Sequence, residues 1–168
     1  MARTSSRFPA SPPSGPDPVA GGDRRTRPGR GAAAGHGRRP HTADLILEAT
    51  GRTRNECIEQ AVLGLVESFA DVRDVAATST SSVVLPRMDD VETLISVLEE
   101  AIYIVDTRGL VPAAARLSDD AAGLHVVFDV VPLQRVSSVG PAPKGVARHA
   151  IFLGRRGRVW SCRVVIDV

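Results

Sequence analysis

Leu45–Phe69, with the sequence LILEATGRTRNECIEQAVLGLVESF, decides the fold because its hydrophobic period changes at one point. Leu45–Thr50 is a short, mostly apolar run that stops at Gly51, which is typical of a β-strand. Thr53–Glu56 matches a capping box, the usual start of a helix. The apolar residues that follow recur at spacings of three and four, as in an amphipathic helix. They are Ile58, Ala61, Val62, Leu65, Val66 and Phe69.

A second helix is predicted by the same signals further along the chain. Asp89 and Glu92 repeat the cap spacing, and Gly109 is a plausible stop. The apolar residues between them have helical spacing. A weaker pattern rich in Thr, Ser and Val predicts a strand within Val75–Leu85, between the two helices.

The chain after Gly109 returns to short alternating runs, which predict two hairpins. Ala113–Leu117 and Leu124–Val131 form the first pair, and Val146–Leu153 and Arg158–Val168 form the second, around a turn at residues 154–157. The predicted order is β-α-β-α-β-β-β-β. The fold class is therefore α/β of the α+β type, a two-layer sandwich in which two helices cover one face of a largely antiparallel mixed sheet.

Residues 1–40 differ from the rest of the chain in composition. They hold seven of the 12 prolines and seven of the 15 glycines, with eight arginines against two acids. Such a segment buries too little apolar surface to offset its ordering entropy. We therefore expect a disordered Pro/Gly/Arg-rich tail at residues 1–40 and one folded domain at residues 41–168. The tail gives a possible phosphate contact with RNA.

The chain shows neither a secretory signal nor a membrane-length apolar run, and we expect a cytoplasmic protein with no membrane partner. Signatures of nucleotide-binding loops, zinc proteases and hydrolase elbows are absent from the sequence. Cys57 and Cys162 belong to no metal-binding or redox motif, and packing as small buried side chains explains both.

Asp44 and Asp167 are the acidic residues that caps and turns do not explain, because both lie at strand ends. The main-chain carboxylate of Val168 follows Asp167 directly. If the first and last strands are neighbours, these oxygens converge into a site for a hard cation such as Ca²⁺ or Mg²⁺. Ordinary surface aspartates are the competing interpretation.

Four motifs in order resemble the archease family, the protein activators of RtcB-type RNA ligases. His41-Thr42-Ala43-Asp44 matches the family's opening, and Asp90–Tyr103 resembles its second helix. Gly157–Trp160 leads into Val165–Val168, a closing strand that ends in hydrophobic-Asp-hydrophobic as in the family. The first helix also corresponds. The resemblance spans residues 41–168.

The resemblance implies a metal-binding activator with no catalysis of its own. Such proteins promote guanylylation and turnover of the ligase in tRNA splicing or RNA repair. Asp44, Asp167 and Val168 would be the metal ligands, with Ca²⁺, Mg²⁺ or Mn²⁺ bound, and His41 would be a supporting residue.

One stretch departs from the family pattern Glu-x-Lys-Ala-(Ile/Val/Ala)-Thr-(Tyr/Trp)-His. Aligned to residues 147–154, the chain carries Ala147, His149 and Gly154 at the positions of the acid, the lysine and the last histidine. If those groups contact the ligase, we expect a divergent member with weakened or altered activity. His149 could replace the lysine as a cation only when it is protonated.

Two other functions remain open from the sequence. The first is a nucleic-acid-binding module that acts through the basic tail, with a steep salt dependence. The second is a metal-dependent hydrolase in which Asp44 and Asp167 hold the metal. It ranks last because no general base accompanies them.

Overall fold

The computed structural model describes residues 44–168. The predicted tail, the domain boundary at residue 41 and His41 lie outside this range. The helices are α1, Arg54–Glu67, and α2, Asp90–Arg108. The strands are β1, Leu45–Gly51; β2, Ala70–Asp71; β3, Ser79–Leu85; β4, Leu110–Asp119; β5, Leu124–Pro132; β6, Ser137–Ser138; β7, Gly145–Arg156; and β8, Val159–Asp167.

Both predicted helix starts are confirmed by side-chain caps. The Thr53 hydroxyl accepts a hydrogen bond from the Glu56 main-chain N–H over 3.1 Å. The Asp89 carboxylate accepts one from the Glu92 N–H over 2.9 Å. Each bond satisfies a donor that the first turn of a helix leaves unpaired. Helix α2 ends before Gly109, whose φ of 60° is the left-handed conformation that glycine adopts without strain.

The strands form antiparallel sheets, and the predicted fold class is confirmed. One three-stranded sheet has the order β1-β8-β7 and the other has the order β3-β5-β4. A two-stranded pair, β2-β6, joins the loops after α1 and β5. The strands therefore divide between sheets and do not form the single sheet expected. The division follows from partners distant in sequence, because β8 pairs with β1 and β5 pairs with β3.

The last hairpin is longer than predicted, and its turn is displaced. Strand β7 continues through Arg156, and Gly157, with a φ of 64°, makes the turn with Arg158. The ladder between β7 and β8 is interrupted between Ala147 and Phe152. Ala150, within this interruption, has a φ of 57°. The hairpin therefore has two regular ends separated by a large bulge.

Helices α1 and α2 pack on the inner faces of both three-stranded sheets and enclose the core. Strand β1 alternates as expected, with Leu47 buried and Ile46 exposed by 53%. Cys57 and Cys162 are both buried, as predicted. They also lie together, because the Cys57 thiol donates to the Ala49 carbonyl over 3.5 Å and Ala49 pairs with Cys162. None of the helices within residues 44–168 is long and apolar enough to cross a membrane.

Candidate metal centre

Asp44 and Asp167 come to the same end of one strand pair. Strands β1 and β8 are antiparallel neighbours, and Leu45 pairs with Ile166. Asp44 precedes Leu45 and Asp167 follows Ile166, so the two aspartates stand at adjacent strand ends. The alternation of side chains along a strand places both on the sheet face opposite the helices. The expected meeting of the first and last strands is confirmed.

The environment of the two carboxylates differs from that of Val168. Asp44 and Asp167 are exposed, whereas the Val168 side chain is only 9% exposed and packs in the main core cluster. Burial of this side chain fixes the position of the Val168 main-chain oxygen next to Asp167. The end of β8 therefore presents one rigid main-chain oxygen and one solvated carboxylate.

A lysine that the sequence interpretation did not use lies at this site. The Lys144 ammonium donates a hydrogen bond to the Val168 main-chain oxygen over 3.0 Å. The Lys144 N–H also donates to the Asp167 carbonyl over 2.7 Å. These two bonds tie the start of β7 to the end of β8. The ammonium places a fixed positive charge beside the proposed oxygen ligands.

The composition contains a signal for Lys144. The chain has 20 arginines but a single lysine, and that lysine is Lys144. Shifting the family pattern given above by five residues, to Ala142–His149, places Lys144 at its lysine position and His149 at its last histidine. In this register the acid, now opposite Ala142, and three further positions differ, at Gly145, Ala147 and Arg148. The residue at the lysine position in this register, Lys144, is the one that contacts Val168.

The donor set fits a hard cation held in an open site. Within residues 44–168, three or more His, Cys, Asp or Glu side chains nowhere gather into a metal-binding group. If a cation binds at this strand end, its candidate ligands are Asp44, Asp167 and the Val168 main-chain oxygen, all of them oxygens. Ca²⁺ and Mg²⁺ prefer oxygen and take at least about six ligands. Water or groups of a partner would complete the coordination sphere.

A cleft of about 490 Å³ adjoins the site at Lys144. Its walls come from α2, through Glu99, Tyr103 and Asp106, and from the segment Ala142–Gly145. Tyr103 is 50% exposed. Lys144 lines the cleft and also contacts Val168, so one side chain connects the candidate metal centre with this concave surface.

A second polar cluster lies elsewhere and has a structural explanation. Arg54 of α1 reaches Asp90 over 3.3 Å and Asp119 over 2.9 Å. Asn55 donates to the same Asp119 carboxylate over 2.9 Å. The Asn55 hydrogen bond, followed by Arg54, holds the pKa of Asp119 below its usual value of 3.8. This cluster ties together the start of α1, the start of α2 and the end of β4.

The chain matches the model of the Archease protein family (MTH1598/TM1083) over residues 38–168. A probable protein archease of Mycobacterium tuberculosis is 41% identical over 138 residues, covering 82% of this chain and 77% of that protein. A protein archease of Methanosarcina barkeri is 22% identical, covering 76% of this chain and 92% of the relative.

Solved structures show the same fold. The crystal structure of an archease, described as a possible chaperone, from Thermotoga maritima has a TM-score of 0.60 at 25% identity. It is matched over 80% of this chain and 99% of its own. The solution structure of protein 1598 from Methanobacterium thermoautotrophicum has a TM-score of 0.61 at 23% identity, over 76% of this chain and 94% of its own.

Proposed function

Since this chain belongs to the archease family, we propose that it is a metal-binding activator of an RtcB-type RNA ligase. It would promote guanylylation and turnover of the ligase in tRNA splicing or RNA repair. It would not itself join RNA. The ligase is the expected partner, and the metal is Ca²⁺, Mg²⁺ or Mn²⁺.

The observation that carries the proposal is the pairing of β1 with β8, which brings Asp44 and Asp167 to adjacent strand ends. Two exposed carboxylates and a fixed main-chain oxygen suit a cation that must also bind a second molecule. A site with few protein ligands leaves coordination positions for the partner. Such a site can bind a cation and leave it accessible to a ligand group of the partner.

Lys144 would position the Val168 oxygen in this proposal. Its ammonium compensates negative charge at the end of β8 and can form an ion pair with an acidic or phosphate group of the partner. Because Lys144 also lines the cleft beside α2, the ligase would contact both the candidate metal centre and this cleft.

The test is ligase guanylylation measured with and without the protein. The wild type should accelerate formation of the ligase–GMP adduct, and Asp44→Asn and Asp167→Asn should each lose most of the acceleration. Asp74→Asn is a matched control, because Asp74 is an exposed aspartate in the loop between β2 and β3. Full acceleration by both site variants would refute the metal-dependent mechanism. Multiple turnover by the purified protein alone would support a hydrolase instead.

A further inference from the structure

The charge of the described domain is unevenly divided along the chain. Residues 144–168, which contain the β7–β8 hairpin, carry six cations and one acid, a net charge of +5. Residues 44–143 carry seven cations and sixteen acids, a net charge of −9. The hairpin is therefore a basic element on an acidic domain, and its positive charge favours binding of an anionic partner.

Three arginines are concentrated at the tip of this hairpin. Arg155 and Arg156 end β7, and Arg158 lies in the turn. All three are exposed, and no carboxylate within residues 44–168 forms a salt bridge with them. By contrast, Arg163 pairs with Glu48 over 3.2 Å, and Arg148 pairs with α2 through Glu92.

An exposed aromatic ring lies with Arg156 on the outer sheet face, whereas Arg155 alternates to the other face of the strand at the tip. The Arg156 guanidinium lies 4.9 Å from the centre of the Phe152 ring, and Phe152 is 37% exposed. The register pairs Gly154 with Ser161, so small side chains border the ring. A guanidinium, an aromatic ring and a flat strand surface are what single-stranded nucleic acid contacts through its phosphates and bases.

We infer that the hairpin tip, defined by Phe152, Arg155, Arg156 and Arg158, is a binding site for single-stranded RNA. The guanidinium groups contact phosphates, because their planar donors match phosphate oxygens. A base stacks beside Phe152. Neither contact reads base identity, so the site tolerates different sequences. This gives the domain an RNA contact of its own, beyond the proposed activation of the ligase.

The tip lies at the opposite end of the β1–β8 strand pair from Asp44 and Asp167. Thr50 pairs with Ser161 near the tip, whereas Leu45 pairs with Ile166 at the end that holds Asp44. Val159, which pairs with Arg156 at the tip, is eight residues from Asp167 along β8, about 27 Å away. RNA bound at the tip would therefore lie well away from Asp44 and Asp167 on the same molecule.

The test measures binding of a fluorescein-labelled oligouridylate of about twelve nucleotides to the full chain, with no ligase present, by fluorescence anisotropy between about 50 and 200 mM KCl. The variant Arg155→Gln/Arg156→Gln/Arg158→Gln should bind at least about tenfold more weakly at the lowest salt. Its log–log salt slope should fall in magnitude by about 2, since each lost phosphate contact in a single strand contributes about 0.7. Phe152→Leu should weaken binding by about tenfold with an unchanged slope.

Two variants with the same loss of charge are the controls. Arg73→Gln/Arg87→Gln/Arg135→Gln removes three arginines from other surfaces of the domain, and Arg24→Gln/Arg25→Gln/Arg27→Gln removes three from the N-terminal segment. Each should bind more tightly than the hairpin variant. Equal affinities and slopes for the hairpin and domain-surface variants would overturn the proposal. So would a hairpin variant that keeps its RNA affinity but no longer stimulates the ligase, because the tip would then contact protein.

Discussion

The Lys144 ammonium donates to the Val168 main-chain oxygen, and Lys144 is the single lysine of the chain. Reductive methylation with ¹³C-formaldehyde labels Lys144 and the N-terminal amine, and the Lys144 label is an NMR reporter at the candidate metal centre. We expect the dimethyl-Lys144 signal to shift on addition of Ca²⁺, because a cation bound at Val168 changes the charge around the ammonium. Lys144→Arg assigns the signal. An unchanged signal at saturating metal would contradict binding at Val168.

Metal affinity itself should depend on both aspartates. Asp44→Asn and Asp167→Asn each remove one formal charge from a site that has only two acidic side chains, so each should lower Ca²⁺ affinity at least about tenfold by isothermal titration calorimetry. Asp74→Asn should bind as the wild type does. Equal affinities for all four proteins would place the cation elsewhere.

Adding Gly-Ser after Val168 should have a similar effect for a different reason. The addition converts a carboxylate into a peptide carbonyl and leaves Asp44 and Asp167 unchanged. We expect weaker Ca²⁺ binding and reduced stimulation of ligase guanylylation. Thermal unfolding is the control for a folding defect, because Val168 also packs in the core. Normal stimulation by the extended protein would rule out the Val168 carboxylate as a ligand.

Asp119→Asn should lower the free energy of unfolding by about 0.5–1 kcal/mol at pH 7, because the carboxylate is 46% exposed and its ion pair is partly screened by water. The native pKa of Asp119 is lowered, so its contribution is present above the unfolded value of about 4 and disappears as the pH falls through the native pKa. Urea unfolding at pH 7 and pH 3 measures this. If the free energies of unfolding of the wild type and Asp119→Asn differed by the same amount at both pH values, Asp119 would not be the titrating group.

Gly51→Ala should be strongly destabilising because of a steric clash. A Cβ atom at residue 51 would lie 2.4 Å from the Cys57 main-chain nitrogen, inside the first turns of α1. Overpacking of this kind costs about 1–3 kcal/mol in the free energy of unfolding. Gly145→Ala is the matched control in a strand, because its Cβ would meet no atom within 4 Å. Similar unfolding midpoints for both variants would disprove the close approach.

The Cys57 thiol should react slowly with Ellman's reagent in the native protein. Burial, and to a smaller extent the neighbouring Cys162, raises the pKa of this thiol to about 12. At pH 8 only about one molecule in 10⁴ then carries the reactive thiolate. Unfolding in guanidinium chloride should make both cysteines react quickly. Rapid reaction of the native protein would show that the packing around Cys57 opens readily.

The sequence predicted the helices well because their signals are local. The Thr53 and Asp89 caps, the apolar spacings and Gly109 all lie within or beside the element that they define. The position of Asp44 followed equally from the alternation of β1, in which Leu47 faces the core.

The separation of the strands into two sheets could not be predicted in this way. It depends on which strands pair, and the paired residues of β1 and β8 are more than a hundred positions apart in the sequence. The two-residue strands β2 and β6 are too short for any periodic pattern. Lys144 was missed because it lies in a stretch that reads as a loop, and its contact with Val168 depends on the pairing of β7 with β8.

The interruption of β7 at residues 148–151 has an evolutionary consequence. A strand that already leaves its ladder and re-enters it can gain or lose a residue there without disturbing the pairing on either side. The bulge thus divides the hairpin into two segments, one beside Asp167 and one at the arginine-rich tip. A change in the length or composition of the tip would then leave the pairing of Gly145–Ala147 with β8 unaltered.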